Sequence, residues 1–262
     1  MKLSDSPSST IGKLIEATAI AFHTSFQRLP NAERRDSPQL VSIATDLQDS
    51  YFNGILRADL APAELDAQIE AALAPFQRRH VPMLWHIGPS TRPANLGERL
   101  LAHGLAFHES EPGMAADLQA ISEFPAPAGL TIAPVSDLDT LRTWVGIWAA
   151  GVPGAAAEEC YRAFAGVRLD GALRHHLGRL NGEPVATVSL YSGAEAASVE
   201  HVSTLPHARR QGIGTAMVLK ALRDARMQGY RIAVLSASPS GLPVYRRLGF
   251  REYFVWHRYM RP

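Results

Sequence analysis

The sequence predicts an α/β protein of two halves, and three observations carry that reading. Short apolar runs of strand character interleave with stretches whose apolar residues recur every three or four positions, as on one face of a helix. A break at 122–129, marked by Pro125, Pro127 and Gly129, ends both periodicities and divides the 262 residues into halves of similar length. The order strand, turn, short helix, strand closes both halves. The expected domains are therefore 1–125 and 126–262.

In the first half, Ile11, Leu14, Ile15, Ala19 and Phe22 trace a helix face. Residues 40–47 and 55–60 read as strands, with Asn53 and Gly54 as the turn signal, and 62–76 as a helix with Pro62 at its start. A strand at 83–87, a helix at 95–102 and a strand at 115–118 follow. In the second half, 197–205 reads as a strand ending at Pro206. The run Gly214, Met217, Val218, Ala221, Leu222, Ala225 reads as a helix ending near Gly229. A strand at 232–235, a polar turn at 236–240, a helix at 242–248 and an alternating strand at 254–260 complete the chain. The matching order suggests a tandem duplication.

Composition excludes several classes. With 26 basic against 25 acidic residues, the chain has no broad field for nucleic acid or a membrane surface. The longest weakly polar stretch, 144–157, is too short to span a bilayer. A single cysteine, Cys160, forms no internal disulfide, which together with the absence of a signal-like amino terminus points to the cytoplasm. His175 and His176 are adjacent, hence opposed on a strand, and no His-Glu-x-x-His pattern occurs, so no metal is expected. Cys160 reads as a small buried thiol, and Trp144 and Trp148, four apart on a helix, as core.

The stretch Arg209, Arg210, Gln211, Gly212, Ile213, Gly214, Thr215 joins a strand to a helix through a cationic loop with two glycines. Unpaired N–H groups in the first turn of that helix, its dipole and the arginines favour an anion, and the glycines admit close approach of a diphosphate. It is neither a Walker loop, lacking Lys before Thr215, nor a Rossmann fingerprint, since Met217 stands where a third glycine is needed.

The loop resembles the acyl-CoA loop of the GNAT N-acetyltransferase superfamily, Arg/Gln-x-x-Gly-x-Gly/Ala, through Arg209, Gly212 and Gly214. The later helix carrying Tyr245 and ending in Leu248, Gly249, Phe250 resembles that family's second signature. The resemblance spans about 130–262. It implies mixed, mostly antiparallel sheets flanked by helices, acetyl-CoA as co-substrate and an amine acceptor, either a small molecule or a peptide. It also implies that the pantetheine arm pairs with the backbone of Val202, Ser203 and Thr204. Ser240 stands where the family usually has Asn, and Pro243 where it has Ala; Ser240 keeps one hydrogen-bond donor. Tyr245 is implied as the acid that protonates the departing thiolate.

Strand alternation places Glu200, Val202 and Thr204 on one face and Val199, His201 and Ser203 on the other. Glu200 is the expected base, acting through water, with His201 second. The first half lacks the loop, and Leu100 stands four residues before Gly104, where the second half has Tyr245 before Gly249. It reads as a degenerate copy that shapes the acceptor cleft. The rival reading is an acyl-CoA-binding regulatory protein without turnover. Homodimerisation is left open.

Overall fold

A computed structural model describes residues 3–151, 156–167 and 171–261. The first half runs α1 (Ser8–Thr24), β1 (Glu33–Asp36), β2 (Leu40–Ala44), β3 (Gly54–Ala58), α2 (Leu65–Arg79), β4 (Met83–Ile87), α3 (Leu96–Ala102) and β5 (Ala106–Asp117). The second runs β6 (Leu130–Pro134), α4 (Leu138–Ala150), α5 (Ala157–Ala165), β7 (Leu173–Leu180), β8 (Glu183–Ser192), β9 (Ala197–Thr204), α6 (Ile213–Met227), β10 (Ile232–Ser236), α7 (Leu242–Leu248) and β11 (Arg251–Arg261). No helix among the described residues is long and apolar enough to cross a membrane.

Local chemistry sets the helix ends that matter for the site. Asp137 caps α4 by accepting the Thr140 N–H at 2.8 Å. Pro243 sits in the first turn of α7, where no intrahelical N–H is lost. Gly249, at φ +102°, ends that helix in the left-handed conformation, and the Phe250 N–H returns to the Tyr245 carbonyl at 3.0 Å.

The strands form one sheet of eleven, mostly antiparallel, ordered β1-β2-β3-β4-β11-β5-β10-β9-β8-β7-β6. The two halves share this sheet and exchange their last strands. β11 lies between β4 and β5, and β5 lies between β11 and β10. The segment 122–129 is a connection without regular structure, yet the strands on either side of it are interleaved. β5 is also far longer than the expected 115–118. Its amino-terminal part, with His108, Glu109, Glu111 and Pro112, lacks apolar alternation and is held by pairing with β11.

Helices cover both faces. On one, α6 and α7 pack Ile213, Met217, Leu222, Tyr245 and Leu248 against Met114, Ala116 and Leu118 of β5 and Val188 and Val199 of β8 and β9. On the other, α1 sets Ile11, Leu14 and Ile15 against Ala115, Ile232 and Val234, so a helix of the first half covers strands of the second. Farther along that face, α1, α4 and α5 enclose an aromatic core of Phe22, Phe26, Trp144, Trp148 and Phe164. Trp144 and Trp148 stack there at 6.1 Å, as core residues.

Candidate active site

The sheet opens between β9 and β10. The two are parallel but pair only at Ala197 with Ala233 and Ser198 with Val234. β9 runs on to Thr204 beside β8, while β10 stays with β5 as far as Ser236 opposite Gly113. A gap is left, with 199–204 on one bank and the start of β5 on the other.

The loop ahead of α6 opens toward this gap. Gly212 precedes the helix at φ +80°, a conformation suited to glycine, and Arg210 adopts φ +61°. No side chain caps α6, so the amides of its first turn have no side-chain acceptor. A Cβ on Gly214 would meet nothing nearer than Thr204 Oγ1 at 3.6 Å. The glycine is thus not demanded by the protein's own packing, and the space before the amides is open. Arg209 donates from Nε to the Thr204 carbonyl at 2.8 Å, and Gln211 from Nε2 to the His207 carbonyl at 3.4 Å. Ser240 shares a hydrogen bond with Ser238 at 3.2 Å beside the start of α7.

The expected alternation in β9 fails at one residue. Ser189 pairs with Glu200 and Thr187 with Ser203, so His201 and Val202 of β9 oppose the single Val188 of β8, and His201 takes φ +54°. This bulge places Val199 and Val202 together on the α6 face, while Glu200 turns to the opposite face with Ser198. Glu200 therefore does not share a face with Val202 and Thr204. Ser203 faces α4, its hydroxyl donating to the Ile147 carbonyl at 3.4 Å.

Glu200 is half-buried and accepts a short hydrogen bond from Ser198 Oγ. Burial raises its carboxyl to about 7; the Ser198 bond and the Arg258 charge act the other way, and Glu111 adds to the rise. His201 is buried, with Nε2 2.9 Å from Tyr51 Oη and Nδ1 3.0 Å from Ser189 Oγ, which lies 2.7 Å from His175 Nδ1. Burial, with the neighbouring His175 and His23, drives its pKa well down. Engaged at both nitrogens, this imidazole is a brace for the bulge with no free lone pair for the gap. His176 faces away, 3.1 Å from Asp224 of α6. Cys160 is buried, its thiol pushed up to about 12 by burial and by Asp49.

Tyr245 is 7% exposed and packs edge-on against Phe250, with ring centroids 5.9 Å apart. Its pKa is raised by burial first, then by the charges of Glu200 and Glu111. A Cβ on Gly241 would stand 2.7 Å from its ring, so close approach of ring and backbone requires that glycine.

Residues that sequence reading passed over complete the gap. Arg258 of β11 donates from Nη1 to Glu109 at 2.8 Å and Glu111 at 2.7 Å, and from Nε to His86 Nδ1 at 3.4 Å. His23 of α1 lies 5.4 Å, ring to ring, from His86 and 5.6 Å from Tyr51. Burial holds both imidazoles low, His23 at about 3. The available signal was Glu109 and Glu111 two apart, which on a strand share a face.

The corresponding opening in the first half is filled by the chain itself. β3 and β4 are parallel and pair only at Gly54 with Leu84 and Ile55 with Trp85. Beyond them the Arg92 N–H bonds the Ala58 carbonyl at 2.9 Å, and the Leu60 N–H bonds the Arg92 carbonyl at 3.1 Å. The hollow at the start of α2 is lined by Glu64 and Asp66, the latter ion-paired to Arg99.

Residues 141–250 match the acetyltransferase (GNAT) family, and the chain carries a GNAT-family domain there. The whole fold is similar to that of a GCN5-related N-acetyltransferase from Kribbella flavida, at 21% identity over 94% of this chain and 95% of that one, with a TM-score of 0.72. It is also similar to a GCN5-related N-acetyltransferase from Sphaerobacter thermophilus, with 20% identity, 98% and 92% coverage and a TM-score of 0.59. A tandem GNAT protein from the clavulanic acid biosynthesis pathway matches at 16% identity over 100% of this chain and 96% of that one, TM-score 0.59. No curated protein matches the chain.

Proposed function

We propose that the second half binds acetyl-CoA and transfers its acetyl group to an amine by direct attack, as an N-acetyltransferase. One arrangement supports this most: Glu200 and Tyr245 reach a single gap from opposite faces of the sheet, beside an uncapped helix terminus. The first-turn amides of Ile213, Gly214 and Thr215, with Arg209, Arg210 and Gln211, fit a diphosphate, which Gly212 and Gly214 let approach. Val202, Ser203 and Thr204 lie where β9 has lost β10, the edge that suits an extended amide-bearing arm. Ser240 borders the same opening. Bound acetyl-CoA would supply an activated carbonyl and a thiolate leaving group.

The chain's own groups then handle protons. An amine arrives mostly as ammonium, and Glu200, with a pKa of about 7, accepts its proton directly or through water near neutral pH. Tyr245 enters the reaction protonated, because burial and two nearby carboxylates oppose its ionisation. It gives a proton to the sulfur as charge develops there. A free phenol at ~10 is a weaker acid than a thiol at ~8.5, but burial lifts both in the same direction, which keeps the transfer within reach.

The first half, on this reading, holds no CoA. Arg92 fills its opening, and carboxylates stand at the start of α2 where α6 is preceded by arginines. A CoA-release assay over a panel of amines and acyl-CoAs tests the proposal. CoA binding without release from any amine would refute transfer and leave an acyl-CoA sensor.

A further inference from the structure

The far bank of the gap carries its own chemistry. β10 ends at Ser236 opposite Gly113, and the Ala237 N–H bonds the Pro112 carbonyl at 3.1 Å. Beyond that point no strand among the described residues separates Glu109 and Glu111 from β9. Pairing of Trp256 with Glu111 and Arg258 with Glu109 puts these side chains on one face. Glu200 lies on that same face of the sheet. It stands two strand spacings away, roughly 10 Å in backbone terms, before the side chains lean inward.

The charges do not cancel. One guanidinium, Arg258, serves two carboxylates, and its side chain is only 12% exposed. The imidazoles of His23, His86 and His201 are kept neutral by burial and add no positive charge. An anion entering here would compete with both carboxylates for an arginine already doubly compensated. A cation would find unused lone pairs.

Building on the transfer reaction above, we propose that the acceptor is an amine bearing a second positive charge, a diamine or polyamine, whose distal ammonium is held by Glu111 and Glu109 while the reacting nitrogen faces Glu200. The span between the banks suits a separation of roughly four to six carbons between nitrogens. Glu111 is then a specificity-determining residue contributed by the first half.

The test compares 1,5-diaminopentane, n-pentylamine and 5-aminopentanoate in the CoA-release assay at saturating acetyl-CoA. The expected KM for the diamine is at least about ten-fold below that of the monoamine, as one charge-assisted hydrogen bond provides, with the amino acid poorest. Glu111→Gln keeps a hydrogen-bond acceptor for Arg258 and should shrink the diamine preference about five-fold or more, with Glu109→Gln giving a smaller change in the same direction. Equal KM values for diamine and monoamine, or a preference for 5-aminopentanoate, would overturn the proposal even if acetyl transfer is real. Calorimetric titration of the wild-type protein and Glu111→Gln with 1,5-diaminopentane separates the two ideas. Absence of CoA release from every amine sinks transfer, whereas absent diamine binding, or binding that Glu111→Gln leaves unchanged, sinks the assignment of this bank. Should Glu111→Gln fail to fold, the wild-type KM ratio and Glu109→Gln decide.

Discussion

Glu200→Gln separates the role of this carboxyl in chemistry from its effect on stability. In the folded chain its pKa is raised from 4.5 to about 7, chiefly by burial. A raised carboxyl means the folded state holds a proton that the unfolded state has released between these values, so stability falls as pH climbs from about 4.5 to about 7. The interval, 7 − 4.5, at roughly 1.4 kcal/mol per pH unit, caps the cost of the charged form at about 3.5 kcal/mol. Partial exposure of the side chain reduces that to about 2 kcal/mol. Glutamine keeps an oxygen to accept from Ser198 and carries no charge. The variant should therefore match the wild type near pH 4.5 and exceed it by about 2 kcal/mol at pH 8, while losing about 10²-fold or more in turnover with the base. Paired urea unfolding at several pH values reads the first effect, since every other group titrates equally in both proteins. The acid limb of wild-type kcat/KM near pH 7 reads the second. A stability difference that does not vary with pH would refute the burial argument, and an unchanged turnover would refute the base.

Three further outcomes follow from the same geometry. Tyr245→Phe should leave CoA affinity within about two-fold by calorimetry yet lower kcat by about 10²-fold, the usual scale for a lost general acid; an equal loss of both would count against the assigned role. Gly214→Val should raise the Kd for CoA about ten-fold or more, because its side chain stands before the first-turn amides, with the melting temperature nearly unchanged since only Thr204 Oγ1 lies near, at 3.6 Å. Fragments 1–125 and 126–262 should each be insoluble or unfolded when expressed alone and recover a cooperative melt when co-expressed, because each lacks a strand at the centre of the sheet. A well-folded isolated second half would show that β5 is dispensable to it.

From β9 onward the second half was legible because its cues are local, whereas β6, β7 and β8 were not assigned. The glycines and prolines around α6 and α7 set their ends within a residue or two, and the strand at 232–236 is a short apolar run between clear breaks. The bulge in β9 was not legible. It depends on one histidine at positive φ, held by Tyr51 from 150 residues away and by Ser189, and strict alternation cannot foresee a residue inserted out of step. The polar half of β5 was missed for a related reason. Its strand conformation comes from β11, which follows it by well over a hundred residues, and its carboxylates suggested a loop. Arg258 was invisible as a site residue because its partners lie on that unread stretch.

The exchange of last strands explains how a half without a phosphate cradle remains tied to the gap. β5 is anchored in the second half's core through Met114, Ala116 and Leu118, while the other end of the same strand carries Glu109 and Glu111. β11 does the reverse, setting Arg258 beside His86 of β4 after leaving Gly249 and Phe250 at the end of α7. α1 crosses the junction and fixes the banks with Ile11, Leu14 and Ile15 beneath and His23 at the opening. A change in the packing of β4 or α1 therefore reaches the gap through continuous strands, with no hinge between. Strands of the first half pair with both β10 and β11. Any change in that sheet therefore bears on Glu109 and Glu111 of β5, two carboxylates held by the one arginine, Arg258.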